Sequence, residues 1–345
     1  MKNSSPHRTG RHAAIAFATV LAALLSVSLD RMPAATAAVS EPYAWPVKPF
    51  DRAHPVRANF GDPRTIFHGP PTQTALMTSG GVFSFHFGID ISVPDGTAVY
   101  AVRSGTVKLL GGRSVQVTSA DGFATQYWHI VPSVERGQRA VARMTVLGHV
   151  MKGYGHVHFT ELDHGRPVNP LAPGHIAPFG DDTPPVIRGI SFRVRETPLE
   201  LLPESVSGTI VPVANVYDTT ALPVAGVWAD LPVAPALVTW RIERAKDARV
   251  VFPERTALDV RRTIPPNRDF WRYYARGSRQ NMCPFAAQRA WRTSGTYLYR
   301  LTRTPLDTTR LRNGIYRLVV TAADIRGNKT SQAQVFIIRN AARRA

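Results

Sequence analysis

His86, Asp90, His156 and His158 carry the chemistry of this chain, in the order His-Phe-Gly-Ile-Asp, a gap of sixty-five residues, then His-Val-His. Two histidines and a carboxylate make a zinc site with three protein ligands. Such a site keeps its fourth position open, as hydrolytic zinc needs and structural zinc does not. Nickel, cobalt and manganese compete on affinity grounds. The surplus histidine of the pair, with His129 at the end of Tyr127-Trp128-His129, supplies imidazoles for proton transfer. Zinc would lower the pKa of bound water towards neutrality and polarise a substrate carbonyl. One neutral imidazole would take the water's proton and pass one to a departing amine. A second would donate a hydrogen bond to the tetrahedral oxyanion.

These residues need elements that bring them together. Residues two apart on a strand point the same way, so His156 and His158 share a side while Val157 and Phe159 face the core. His86 and Asp90 are four apart, about 13 Å on an extended strand at ~3.3 Å per residue, too far to share an ion. Gly88 lets the backbone bend between them. From Glu41 to about Ala177, short strand-like runs alternate with glycine turns, including the tight-hairpin signal Asp121-Gly122. Two-residue periodicity then sets Phe123, Thr125, Tyr127 and His129 on one face. No long helical pattern interrupts, so this half is expected to be an antiparallel β domain.

Pro167 to Pro185 is rich in proline and glycine and reads as a linker or a domain junction. Beyond it, Val186–Arg195, Gly208–Tyr217, Ala236–Arg244, Gly314–Ala323 and Gln332–Ile338 read as strands of a β-sandwich. The stretch 265–293 breaks the rhythm with Phe270, Trp271, Tyr273, Tyr274 and Trp291 among arginines. It reads as a long insertion whose aromatics pack rather than bind a saccharide. The expected fold class is all-β, with a signal segment over 1–38, a first domain over 39–180 and a sandwich over 181–345.

The leader rests on a basic start (Lys2, Arg8, Arg11), an apolar run from Ala13 to Leu29 and the small residues Ala35-Thr36-Ala37. An uncut leader serving as an anchor is the alternative. Either way the protein is expected outside the cytoplasm, in the periplasm, envelope or medium. A lone cysteine, Cys283, excludes an internal disulfide and shows no activating neighbours. The formal net charge of +18 favours anionic partners. Without a recognition helix or stacking motif, envelope polymers are the expected partners rather than nucleic acid.

Phe85-His86-Phe87-Gly88-Ile89-Asp90 and Gly155-His156-Val157-His158-Phe159 resemble the two metal motifs of the lysostaphin-type zinc endopeptidases. The framework agrees: Phe60-Gly61-Asp62-Pro63-Arg64, then Pro94-Asp95-Gly96-Thr97, Gly105-Thr106-Val107, Tyr127-Trp128-His129-Ile130 and Val146-Leu147-Gly148 follow in order. The resemblance covers roughly residues 45–172. It implies one zinc held by His86, Asp90 and His158, a catalytic pair of His129 and His156, and peptidoglycan peptides as substrate. Two departures stand out. Thr160 occupies a position where glutamate is common, and the loop from Gly148 to Gly155 is short.

The C-terminal Gly314-Ile315-Tyr316 through Asp324, with Gly327-Asn328, resembles the last strands of immunoglobulin-like modules of bacterial surface proteins. Two other functions compete with the endopeptidase. One is activation of another wall hydrolase by an inactive relative; the other is non-catalytic cell-wall binding. His54, His68, His149, His164 and His175 fall outside the motifs and are expected on surfaces or loops, with His68 and His149 able to approach the groove.

Overall fold

The structure, a computed structural model, describes residues 42–65, 83–195, 197, 199–281 and 294–341. The expected leader, His68, Cys283 and Trp291 lie outside the described residues.

Among the described residues thirteen strands precede residue 170: β1 (Val56–Ala58), β2 (Pro63–Arg64), β3 (Ser84–Phe85), β4 (Ile89–Ser92), β5 (Ala98–Tyr100), β6 (Gly105–Leu109), β7 (Ser114–Thr118), β8 (Phe123–Trp128), β9 (Ile130–Pro132), β10 (Arg139–Ala140), β11 (Val146–Val150), β12 (His156–Asp163) and β13 (Arg166–Val168). The main sheet runs β1-β4-β12-β8-β7-β6-β10, with β13 also on β12, and every pairing is antiparallel. The strand bearing His156 and His158 is therefore central, flanked by the strand bearing Asp90 and the strand that ends beside His129. In register, His158 lies opposite Asp90 on one side and Trp128 on the other. Val157 and Phe159 are fully buried on the opposite face, where Phe159 meets Tyr127 with ring centroids 5.4 Å apart. Alternation along β12 thus separates metal side from core side.

The remaining strands are β14 (Val186–Val194), β15 (Glu200–Leu201), β16 (Thr209–Tyr217), β17 (Leu237–Arg244), β18 (Val250–Asp259), β19 (Leu298–Arg300), β20 (Leu306–Asp307), β21 (Gly314–Ala323) and β22 (Lys329–Ile338). One sheet is β15-β14-β16-β19 with β20 on β16; the other is β18-β17-β21-β22. They face each other through Phe192 and Phe336, whose rings lie 4.7 Å apart. The protein is all-β, as expected. Edge strand β18 was not foreseen, because Pro253, Glu254 and Arg255 interrupt its pattern and much of it is exposed.

The proline-rich stretch, expected as a linker or a domain junction, is tied to later residues. Asn169 donates from its backbone to Arg262 O at 2.8 Å and from its side chain to Val260 O at 3.0 Å. The described residues pack as one unit, and a single buried cluster runs from Trp45 and Phe85 to Trp240 and Phe336. The described part of the aromatic insertion joins this cluster. Phe270 and Tyr274 are buried, and their rings lie 5.3 and 5.8 Å from that of Phe85, the residue preceding His86.

Candidate metal centre

His86 follows β3 and Asp90 lies in β4, so the chain leaves one strand and enters another between them. Gly88 is needed there for a different reason than a bend alone: its backbone runs hard against β12. A β-carbon at residue 88 would sit 2.2 Å from Phe159 O, 2.8 Å from Thr160 Oγ1 and 2.9 Å from His158 Nε2. Three bonds fix His86. Its N–H donates to Asp62 O and its carbonyl accepts from Gly61 N–H, both at 2.8 Å, and its Nδ1 donates to Asn59 O at 2.9 Å. That last bond turns Nε2 towards Asp90 and His158. His158 is oriented in the opposite sense: Nε2 donates to Thr160 Oγ1 at 2.9 Å and Nδ1 faces inward.

Three donor atoms converge. His86 Nε2 lies 2.8 Å from His158 Nδ1, His158 Nδ1 lies 3.0 Å from Asp90 Oδ1, and His86 Nε2 lies 3.2 Å from Asp90 Oδ1. Tetrahedral zinc with bonds of about 2.0–2.1 Å holds its ligand atoms roughly 3.3 Å apart, so this triangle fits the ion with small outward shifts. The second oxygen of Asp90 accepts from Arg64 Nη2 at 3.1 Å. The protonation states suit a metal, which takes neutral imidazole and ionised carboxylate. Burial, aided by Arg64, pushes His86 down to about 3. Burial works against ionisation of Asp90, but the surrounding His86, His156 and His158 outweigh it and hold the carboxyl well below its usual range.

His129 and His156 complete the cluster. His129 does not share a face with Tyr127, as alternation predicted; its φ of 65° breaks the strand and swings the ring from the core side to the metal side. There it stacks on Tyr154 with centroids 4.5 Å apart, and lies 4.7 Å from the ring of His156 and 6.3 Å from that of His158. The short loop after β11 delivers Tyr154, with Asp95 accepting from Gly153 N–H and Gly155 N–H at 2.6 and 2.8 Å. Burial pushes His129 down to about 4, with His158 adding to the effect. His156 Nε2 points at Asp90 Oδ1 from 3.6 Å, and Nδ1 lies 2.6 Å from Arg57 Nη2 and 2.8 Å from Tyr154 O. Burial holds His156 well below its ordinary value. Both shifts favour the neutral imidazole.

The other described histidines stand apart from this cluster. His54, in the loop before β1, is buried beside Trp45 and donates from Nε2 to Pro49 O at 2.9 Å. His175 pairs with buried Glu161 at 2.8 Å, exposed His164 with Asp163, and exposed His149 lies 3.5 Å from Ser133 Oγ. Sequence reasoning missed Arg57 and Tyr154, since neither has a local motif that announces it. A second acidic group, Asp181, Asp218 and Asp324, lies in the C-terminal half. Its oxygens already accept from neighbouring backbone N–H groups, three of them on Asp324 Oδ1 alone.

Residues 84–170, which include all five members of the cluster, match peptidase family M23. The match covers 87 of the chain's 345 residues, 84 to 170 inclusive. Among solved structures, the M23 metalloprotease pseudoalterin from the deep sea is 18% identical over 40% of this chain and 78% of its own, with a TM-score of 0.28. A zinc-containing peptidase from Vibrio cholerae is 21% identical over 38% of this chain and 39% of its own, at 0.28. The catalytic domain of lysostaphin from Staphylococcus simulans is 21% identical over 32% of this chain and 80% of its own, at 0.24. At those TM-scores the superpositions add nothing to the family match. A search of curated proteins returned no match.

Proposed function

We propose that the chain is a zinc-dependent endopeptidase that hydrolyses peptide bonds of bacterial peptidoglycan. The observation that carries this reading is the triangle of His86 Nε2, Asp90 Oδ1 and His158 Nδ1 with two further neutral imidazoles beside it. A purely structural site would leave those imidazoles without a task. Zinc in this triangle supplies an acidified water and a Lewis acid for the scissile carbonyl. His129 and His156 do the rest: one accepts the proton of the attacking water and returns it to the leaving amine, the other donates to the oxygen that gains charge. The intact ligand set argues against an inactive activator of another wall hydrolase and says nothing about wall binding.

Several further features agree with work in a cell envelope. The charge of +18 suits anionic envelope polymers, and the leader-like start suits export. Among the described residues no helix is long and apolar enough to cross a membrane. We take 39–180 as the peptidase domain and 181–345 as an immunoglobulin-like module. Zinc content and muropeptide release, compared between wild type and His158→Ala, test the function. The wild type should hold one zinc and release peptides with new amino termini, and the variant should do neither. Bound zinc without release from any peptidoglycan would move the protein to a binding or regulatory role.

A further inference from the structure

His156 Nδ1 has two neighbours that make opposite demands. Arg57 Nη2, at 2.6 Å, can only donate; Tyr154 O, at 2.8 Å, can only accept. A neutral imidazole satisfies one of them, and the choice decides what its other nitrogen offers to the metal centre. If Tyr154 wins, Nδ1 carries the proton and a lone pair on Nε2 faces the ionised Asp90 oxygen 3.6 Å away. If Arg57 wins, that same nitrogen is an N–H facing the oxygen. The second arrangement attracts at both ends of the ring, and its Arg57 contact is short, buried and charge-assisted.

Arg57 is itself held in place from outside the peptidase segment. Its guanidinium lies 3.9 Å above the ring of Trp228, in the short 3-10 turn Gly226–Trp228 of the C-terminal half. Among the described residues its buried Nε has no hydrogen-bond partner, and the contacts of the group are Nη2 to His156 and its face on Trp228. His129 contrasts with this. Among the described residues neither of its ring nitrogens takes a protein hydrogen bond, which leaves them open to water.

Resting on the zinc-peptidase reading, we propose that Arg57, clamped by Trp228, fixes His156 as the Nε2–H tautomer. This divides the work: His156 donates to the carbonyl oxygen as it becomes an oxyanion, and His129 accepts the proton of the attacking water. Arg57 and Trp228 are positioning residues acting through His156. The C-terminal half thereby becomes part of the catalytic apparatus rather than a tether.

Nitrogen-15 NMR of the zinc-loaded, histidine-labelled full chain reads the tautomer without any turnover, with His156→Gln assigning the signal. The wild type should show a proton on Nε2 of His156; a proton on Nδ1 would overturn the proposal. Arg57→Leu should move the proton to Nδ1 and lower kcat about 10–100-fold, with KM within about threefold and one zinc per chain. Arg57→Lys should restore the Nε2–H signal and most of kcat. Trp228→Ala, at a partly exposed position, covers the case in which Arg57→Leu does not fold. It should give a mixture of tautomers and a smaller loss of kcat, and add nothing to Arg57→Leu. Unchanged tautomer and kcat in Trp228→Ala would remove the clamp. A wild type with no peptidase activity but the Nε2–H signal would overturn the function while leaving the tautomer assignment standing.

Discussion

Gly88→Ala places a methyl group where the structure has no room for one. Its β-carbon would lie 2.2 Å from Phe159 O, against a comfortable separation of roughly 3.5 Å, an overlap of more than 1 Å. The obstructing atom is backbone, in a strand whose ladders to β4 and β8 hold it from both sides, so it cannot turn aside like a side chain. Overpacking of this kind costs about 1–3 kcal/mol, and displacing the His158–Thr160 hydrogen bond adds roughly 1 kcal/mol. The expected drop in Tm is about 5–10 °C at the scale of a few degrees per kcal/mol. Because the same methyl presses on His158 Nε2, zinc affinity should fall about 10–100-fold, the usual consequence of disturbing a ligand's orienting contact. Calorimetry with and without zinc, and competition against a chelator, measure both. Gly112→Ala is the control, since nothing lies within 4 Å of its β-carbon position. A Gly88→Ala protein with zinc affinity within threefold of wild type and an unchanged Tm would refute the reasoning. It would return Gly88 to a mere bend.

Thr160→Val keeps the shape of the side chain but removes the acceptor for His158 Nε2. Zinc affinity should weaken about tenfold or more while Thr160→Ser stays near wild type, in the same chelator competition; equal affinities for Val and Ser would mean Thr160 only packs. Asp218 gives a pH dependence. Burial, then Asp181, pushes its carboxyl up to about 8, above the unfolded value near 3.9. The folded state therefore keeps a proton that the unfolded chain has lost, and stability should fall as pH rises from ~4 to ~8. Buried Asp62, raised to about 7, contributes in the same direction. In Asp218→Asn, Oδ1 can still accept from Thr219 N–H, so urea midpoints at pH 5 and 8 should differ by less than in wild type, a relief of about 1–3 kcal/mol at the upper pH. An identical slope in the variant would show that Asp218 is already ionised at pH 5.

Motif order and alternation made much of this legible. His156 and His158 sit as period-two reasoning requires, and the strands at 186–194, 209–217, 237–244 and 314–323 fall within two residues of their expected limits. What failed was reasoning that extended a local rule past a break. His129 belongs to the metal side because of a left-handed residue, which alternation cannot foresee. Arg57 matters through contacts with no sequence periodicity, to His156 across 99 positions and to Trp228 across 171 (228 minus 57), and Tyr154 through its stack on His129. The proline-rich stretch looked like a linker or a domain junction because composition reports turns, not whether the turns are packed.

The loop behind His86 is buttressed by residues made much later. Asn59 donates to Ala234 O, Asp62 accepts from Ala234 N–H at 2.6 Å, and Gly61 O accepts from Tyr274 Oη at 2.8 Å. Chain synthesis therefore completes the ligand set at His158 but not its support until Tyr274, 116 residues later (274 minus 158). At ~5–20 residues per second that interval is roughly 6–23 s. During it a growing chain carries every metal ligand yet lacks the surface that holds His86 in place. Order along the chain thus acts as a clock, delaying the buttressing of the proposed zinc centre until most of the molecule exists.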